Sequence, residues 1–239
     1  MTLYVGTSGY AYREWKPAFY PADLPQRRFL EHYARALGAC EVNATFYRLQ
    51  SDETLRGWAA AVPDDFRFAA KAHRRLTHAR AWPRAGDDFL AAFVRSLSNL
   101  GDKLGVVLWQ FPPYRARDDD ALEGLTGALP PELPCAFEFR NDSWRGVEDA
   151  LARAGHAVCV SETAGRVPDA LPPGPRAYVR LRAERYGARE RDGWLELLTS
   201  EARARDVYVF AKHEGIPAGD PYGGVGLAAW LHEQTRAPA

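Results

Sequence analysis

Charged residues in this chain recur on one parity of segments that otherwise read as buried β-strands. Segment 136–140 is Ala136-Phe137-Glu138-Phe139-Arg140. A strand alternates faces with period two. Phe137 and Phe139 therefore share one face, and Glu138 and Arg140 share the other. The same pattern runs through Cys40-Glu41-Val42-Asn43, Phe66-Arg67-Phe68-Ala69-Ala70-Lys71, Tyr178-Val179-Arg180-Leu181 and Tyr208-Val209-Phe210-Ala211-Lys212. A plain two-layer sheet would turn its polar face to water. A barrel wrapped in helices instead places the apolar face under the helices and gathers the other in its lumen. Buried charge is costly unless paired, so this much of it is expected to serve a site.

The order of elements agrees. Strands are predicted near 3–6, 39–43, 66–71, 104–111, 135–140, 157–160, 176–182 and 206–212. Helices are predicted near 26–37, 51–61, 87–99, 118–128, 144–154, 191–204 and 224–234. Ser51 is placed as the cap of the second helix. Leu90, Phe93, Val94, Leu97 and Leu100 recur at helical spacing. Most connections have crossover length, which implies parallel strands. The expected fold is α/β: one domain over residues 1–239, a TIM-type (β/α)8 barrel, irregular around strands six to eight. There the Pro-rich segment 168–175 shows no helix pattern. An open doubly wound sheet is the alternative, but Gly6-Thr7-Ser8-Gly9 does not fit the G-x-G-x-x-G fingerprint. In such barrels chemistry sits at the C-terminal ends of the strands.

Composition narrows the function classes. The formal net charge is zero, so no global basic field marks a nucleic-acid binder. Cys40, Cys135 and Cys159 stand singly in apolar runs without metal or redox spacing, and read as small buried hydrophobes. The chain opens directly on a strand-like run, and no apolar stretch approaches the ~20 residues of a membrane span. A cytoplasmic protein with no membrane partner is expected; oligomeric state has no signature here.

Several stretches together have a known counterpart. They are Gly6-Thr7-Ser8-Gly9-Tyr10 with Trp15 and Phe19-Tyr20-Pro21, then Glu41-Val42-Asn43-Ala44-Thr45-Phe46-Tyr47-Arg48. Trp58, Phe66-Arg67-Phe68 with Lys71, Thr77-His78, Leu108-Trp109-Gln110-Phe111-Pro112-Pro113, Phe137-Glu138-Phe139-Arg140 and Ser143-Trp144 follow. In this order, over about two thirds of the chain, they resemble the domain of unknown function 72 family. The resemblance implies a TIM-type barrel and no established activity. It also implies a His-Gly after the seventh strand, paired asparagines after the eighth and an Asp ending the sixth. This chain departs at all three, with Arg182-Ala183, Lys212-His213 and Ser161-Glu162. If those groups complete a shared site, the departures alter or remove its activity.

The candidate catalytic residues are Lys71, Glu41 and Glu138. Lys71 reads as a desolvated amine serving as base or Schiff-base nucleophile, or as the partner of Glu41 or Glu138 in an ion pair. Glu41 and Glu138 suit glycoside hydrolysis as paired carboxylates; alternatively each neutralises a cation, Glu138 with Arg140 or Lys71, Glu41 with Arg67 or Lys71. The inward cations Lys71, Arg140, Arg180 and Lys212 outnumber these carboxylates. That excess suggests an anionic ligand gripped bidentately by Arg140 and Arg180. Asn43 is placed to hold a hydroxyl or orient Lys71, and Gln110 to offer an amide at the rim. Among the aromatics Tyr10, Tyr12, Trp15, Phe46, Tyr47, Trp109 and Trp144, Tyr10, Trp15, Tyr47 and Trp144 are taken as substrate-binding. The glycine-rich segment 219–226 is either a phosphate loop at a helix N-terminus or an irregular turn. No cofactor is assigned. A divalent metal on His73, His78, Glu41 and Glu138 is the weaker alternative, since the histidines lack H-E-x-x-H spacing and lie among arginines.

The leading expectation is thus an enzyme, hydrolase or isomerase in type, for a small anionic or polyhydroxylated substrate, phosphorylated sugars included. Nucleic-acid processing or binding through the mouth and the 73–80 loop is second and not favoured. A non-catalytic ligand-binding barrel is third.

Overall fold

Eight parallel strands close on themselves in sequence order in the computed structural model, which describes residues 1–236. They are β1 (Leu3–Ser8), β2 (Ala39–Val42), β3 (Arg67–Lys71), β4 (Leu104–Phe111), β5 (Cys135–Phe139), β6 (Ala157–Glu162), β7 (Arg176–Leu181) and β8 (Asp206–Ala211). The helices are α1 (Phe29–Ala36), α2 (Ala44–Tyr47), α3 (Asp52–Ala60), α4 (Arg74–Thr77), α5 (Asp88–Leu97), α6 (Asp119–Ala128), α7 (Glu148–Arg153), α8 (Ala188–Glu201) and α9 (Gly224–Arg236). The fold is the expected (β/α)8 barrel. Every strand falls within about two residues of its predicted bounds, and β6 joins β7 without a helix. No helix among the described residues is long and apolar enough to cross a membrane.

Local chemistry sets the helix ends. The Ser51 hydroxyl accepts the Thr54 N–H at 3.2 Å, and Asp87 and Asp118 cap α5 and α6 in the same way. Leu90, Phe93, Leu97 and Leu100 are buried, as their spacing predicts. The helix expected from 144 starts only at Glu148. Asn141 Oδ1 accepts the Ser143 N–H, which folds 142–144 into a single 3-10 turn. Gly146, at φ 83°, then breaks the chain direction.

Side-chain parity builds two cores. Outward residues such as Cys40, Phe68, Val107, Trp109, Phe137 and Val179 pack under the helices. Inward residues fill the barrel from its N-terminal end. Tyr4 stacks on Tyr208 with centroids 4.8 Å apart, and the Arg67 guanidinium lies over Tyr4. The next layers mix small and large side chains: Ala39, Ala69, Ala136 and Ala157 against Tyr178 and Phe210. The apolar filling stops below the C-terminal ends of the strands, and there the charges begin.

Candidate active site at the C-terminal mouth

Arg180 is the centre of the lumen network. Its Nη1 donates to Glu138 Oε2 at 2.8 Å and its Nη2 to Glu41 Oε1 at 2.9 Å. All three side chains are shut off from water, at 4%, 4% and 0% exposure. Tyr178 OH donates to Glu41 Oε2 at 2.8 Å. Arg140 Nε donates to Glu138 Oε1 at 3.3 Å, and the Cys159 thiol points at Oε2 of the same carboxylate from 3.9 Å. Burial alone would push both carboxyls up. For Glu41 the charge of Arg180 outweighs it, helped by the Tyr178 hydroxyl and by Lys71, and the pKa falls below the usual range. For Glu138, Arg180 does the same, with Gln110 and Arg140 adding to it. Gln110 lies beside Glu138 in register. Its amide pulls on that carboxylate, yet Nε2 is buried without an acceptor in hydrogen-bond geometry.

Lys71 ends β3 at the mouth. Among the described residues it forms no ion pair; its ammonium lies over the Phe46 ring, 4.5 Å from the centroid. Burial lowers its pKa to about 8, partly opposed by Glu41 and reinforced by Arg180. Asn43 follows β2 one step beyond the Val42–Ala70 pair, level with Lys71. Its side chain does not cap α2. With Tyr10, Tyr12 and Trp58 it lines a rim pocket of about 200 Å³. A larger cleft of about 530 Å³, bordered by Met1, Tyr4 and Phe66, opens at the opposite, N-terminal end. The chemistry-bearing side chains are all at the C-terminal mouth, the end where barrels of this kind work.

The fold thus brings together Glu41, Lys71, Gln110, Glu138, Arg140 and Arg180, with Asn43 and Tyr10 on the rim. It does not bring the remaining candidates there. Trp15 is buried against Tyr12, Phe19 and Tyr20 in the outer core. Trp144 stacks on Phe139, outside the barrel, and donates Nε1–H to the Arg115 carbonyl. Tyr47 stands 66% exposed. Arg180, expected as half of an anion grip, has both Nη groups bonded to carboxylates. Arg67, considered as a partner of Glu41, lies at the far end over Tyr4. His73 accepts the Arg75 N–H as the cap of α4, and His78 packs on Phe46. Among the described residues no three His, Cys, Asp or Glu side chains converge as metal ligands. In the 219–226 loop, a Cβ on Gly223 or Gly226 would meet backbone oxygens of Glu184 or Asp220 at 2.4 and 2.2 Å. Close backbone packing accounts for those glycines.

Some site residues escaped the sequence reading. Tyr178 and Ser8 are two. Tyr178 shares the parity of Arg180, and that was the readable signal. Ser8 reaches the mouth because β1 runs two residues past its predicted end.

Residues 4–236 match the family described as Protein of unknown function DUF72. The chain belongs to this family. The UPF0759 protein YunF of Bacillus subtilis (strain 168) is 29% identical over 149 residues, 59% of this chain and 52% of that protein. The match thus spans about half the length of this relative. A DUF72 family protein from Thermotoga maritima MSB8 superposes with a TM-score of 0.77 at 22% identity, covering 99% of this chain and 100% of the other. A D-psicose 3-epimerase from Clostridium cellulolyticum H10, solved with D-tagatose, superposes at 0.54 and 10% identity, covering 100% of this chain and 93% of the epimerase. Both likenesses are of fold. Within the DUF72 barrel, the departures at the strand ends fall on the mouth. Arg182 follows β7 and touches Ser8 Oγ at 3.4 Å. Lys212 follows β8, His213 stacks on Tyr12 at 4.0 Å, and Ser161 is exposed at the end of β6.

Proposed function

We propose that this protein is an enzyme that moves a proton on a small polyhydroxylated carbonyl compound, an isomerase or epimerase of hydroxyaldehydes and hydroxyketones. The observation that carries the reading is Lys71: a largely buried amine at the mouth that forms no ion pair among the described residues, lies over the Phe46 ring and has its pKa lowered by burial to about 8. Its neutral Nζ takes the proton from the carbon α to the substrate carbonyl. The C–H electron pair becomes the C=C bond, and the carbonyl π pair moves onto oxygen. Gln110 Nε2 and the Arg140 guanidinium donate to that oxygen as charge develops. The Lys71 ammonium then returns the proton on the same face to the former carbonyl carbon, while the proton of the adjacent hydroxyl passes to the former carbonyl oxygen, so a hydroxyaldehyde becomes a hydroxyketone. Epimerisation instead draws a proton from water on the opposite face, and the Lys71 ammonium gives its own to the hydroxide left behind. Arg180 holds Glu41 and Glu138 ionised, which favours isomerisation over glycoside hydrolysis, because the latter needs one protonated carboxyl. Asn43 and Tyr10 on the rim offer an amide and a phenol to substrate hydroxyls. An epimerase of the same fold, solved with D-tagatose, lends the substrate class analogical support.

The test is solvent exchange. Wild type incubated in D2O with a panel of aldoses and ketoses incorporates deuterium at the carbon α to the carbonyl. K71M loses that incorporation by at least ~10³-fold, Q110A by roughly 10–100-fold. The exchange rate rises with pH through about 8. Exchange that survives in K71M overturns the reading. Binding without exchange on any sugar turns it into a ligand-binding barrel.

A second reading, binding of single-stranded nucleic acid, is favoured by two exposed tyrosines. Tyr114, 68% exposed, packs edge-on against His78, and Tyr47, 66% exposed, packs against Phe46. Both offer stacking surfaces, and Arg74, Arg75 and Arg80 are exposed as well. Oligonucleotide affinity falling linearly in log–log salt plots is its mark.

A further inference from the structure

We propose that Arg182, with Ser8 and Lys212, seats a phosphate monoester carried by the substrate of this same site. The inference rests on the reading of the mouth as a substrate pocket and adds the substrate's anionic group.

The first observation is a charge imbalance. Around the lumen mouth five cations, Lys71, Arg140, Arg180, Arg182 and Lys212, face two buried carboxylates, Glu41 and Glu138. Arg180 and Arg140 occupy those carboxylates. The surplus therefore falls on Lys71, Arg182 and Lys212.

The second observation is how poorly Arg182 is satisfied. Its side chain is only 23% exposed. Its contacts are a long 3.4 Å bond to Ser8 Oγ and a 3.8 Å approach to Glu214, which is itself half exposed and also meets His213. Neither is the short bidentate geometry that a guanidinium forms with a settled partner. A cation held this way costs stability, and burial and the nearby Arg180 already hold its pKa down.

The third observation is the neighbourhood. β7 and β8 pair through Leu181 and Ala211, and β8 pairs with β1 through Ala211 and Thr7. Arg182, Lys212 and Ser8 each follow those paired residues, so the three are level on one side of the mouth. Lys212 makes no ion pair among the described residues. Two cations short of partners and a hydroxyl match the dianion of a phosphate monoester, whose oxygens accept from all three. Lys71 and Gln110 lie on the other side, so a phosphate here leaves them to the reacting carbon and oxygen.

The experiment is thermal melting of wild type, R182Q and R182K with inorganic phosphate, ribose 5-phosphate, ribose and a ten-residue oligothymidylate. Inorganic phosphate and ribose 5-phosphate are expected to raise the wild-type Tm, by roughly 5–10 °C at a hundred times Kd. Ribose is expected to raise it far less. R182Q weakens both phosphate ligands at least tenfold, and R182K retains part of the response. Without ligand, R182Q melts at or above wild type, because the variant removes an under-paired cation. A wild type unmoved by either phosphate probe overturns the proposal. So does an R182Q that binds them as wild type does, or one that melts well below wild type without ligand. An oligothymidylate response matching that of ribose 5-phosphate also overturns it, in favour of nucleic acid. The melting readout needs no turnover. Phosphate binding through Arg182 without deuterium exchange sinks the isomerase reading and leaves the anion seat standing; exchange without phosphate binding does the reverse.

Discussion

Arg180 and Glu41 meet in the barrel lumen through a 2.9 Å bond from Nη2 to Oε1, both side chains closed to solvent. The other Nη of the same guanidinium holds Glu138 at 2.8 Å. Removing one partner of a buried pair leaves an uncompensated charge, at a cost of ~3–5 kcal/mol. R180Q leaves two such carboxylates facing each other. Its urea midpoint and Tm are expected to drop, the latter by roughly 10 °C. The double variant R180Q/E41Q recovers part of the loss, giving a coupling energy of about 1 kcal/mol or more. Strictly additive single and double variants would show that the network does not act as a unit.

The titrating groups give stability two pH limbs of different origin. Glu41 and Glu138 have folded pKa values below their ordinary 4.5. Their contribution is full above that value and lost as pH falls through the folded pKa values. Lys71 works on the alkaline side. Folded, it titrates at about 8; unfolded, at its ordinary 10.5. Between those values the unfolded chain binds more protons, so stability rises with pH across the window and is flat outside it. Chemical denaturation of wild type and K71M at half-unit steps from pH 6.5 to 11 isolates this: the wild-type curve climbs relative to the variant between about 8 and 10.5. Parallel curves would mean that Lys71 keeps its ordinary pKa.

The Phe46 ring is expected to support the charged form of Lys71. A ring 4.5 Å from the ammonium favours the cation by ~0.5–2 kcal/mol. F46L keeps most of the apolar bulk and removes the π face. The Lys71 pKa is expected to fall further, by roughly half a unit to one unit, as followed by NMR of the lysine side chain. The pH midpoint of the exchange rate should move down with it. An unchanged pKa in F46L would assign the low value to burial alone.

Much of this site was readable because strand parity is a local property. Glu41, Lys71, Gln110, Glu138 and Arg180 follow from alternation within their own strands, and the fold carries them to one lumen. Height along the barrel is not local. Arg67 and Lys71 share a parity on β3, yet one lies over Tyr4 at the floor and the other at the mouth. The stagger between strands decides which inward cation meets which carboxylate, and it gives both glutamates to Arg180. Loop aromatics are less legible still. Trp15 and Trp144 follow strand ends, but their direction is set by packing against Tyr20, Phe139 and Trp82. Tyr178 was missed because a phenol reads as apolar until a buried carboxylate stands opposite its hydroxyl.

Closure between the first two strands depends on the absence of a side chain at Gly6. A Cβ there would sit 1.9 Å from the Ala39 carbonyl oxygen and 3.1 Å from the Tyr33 hydroxyl. That hydroxyl donates to the same carbonyl at 2.9 Å and accepts the Thr7 N–H at 2.8 Å, tying β1, β2 and α1 at one point. Backbone atoms cannot yield as a long side chain can, so G6A must push β1 away from β2 or break the Tyr33 bonds. Overpacking of this kind costs ~1–3 kcal/mol or more, and unmade buried hydrogen bonds add ~1–3 kcal/mol each. G6A is expected to lower Tm by roughly 10 °C or more or to leave the protein insoluble. G101A is the control for any general effect of replacing glycine. Its Cβ meets nothing within 4 Å, although its φ of 53° with ψ of −138° is a backbone conformation that only glycine adopts readily, and it is expected to lose ~1–3 kcal/mol. If G6A melts no lower than G101A, the β1–β2 contact has more room than its geometry implies.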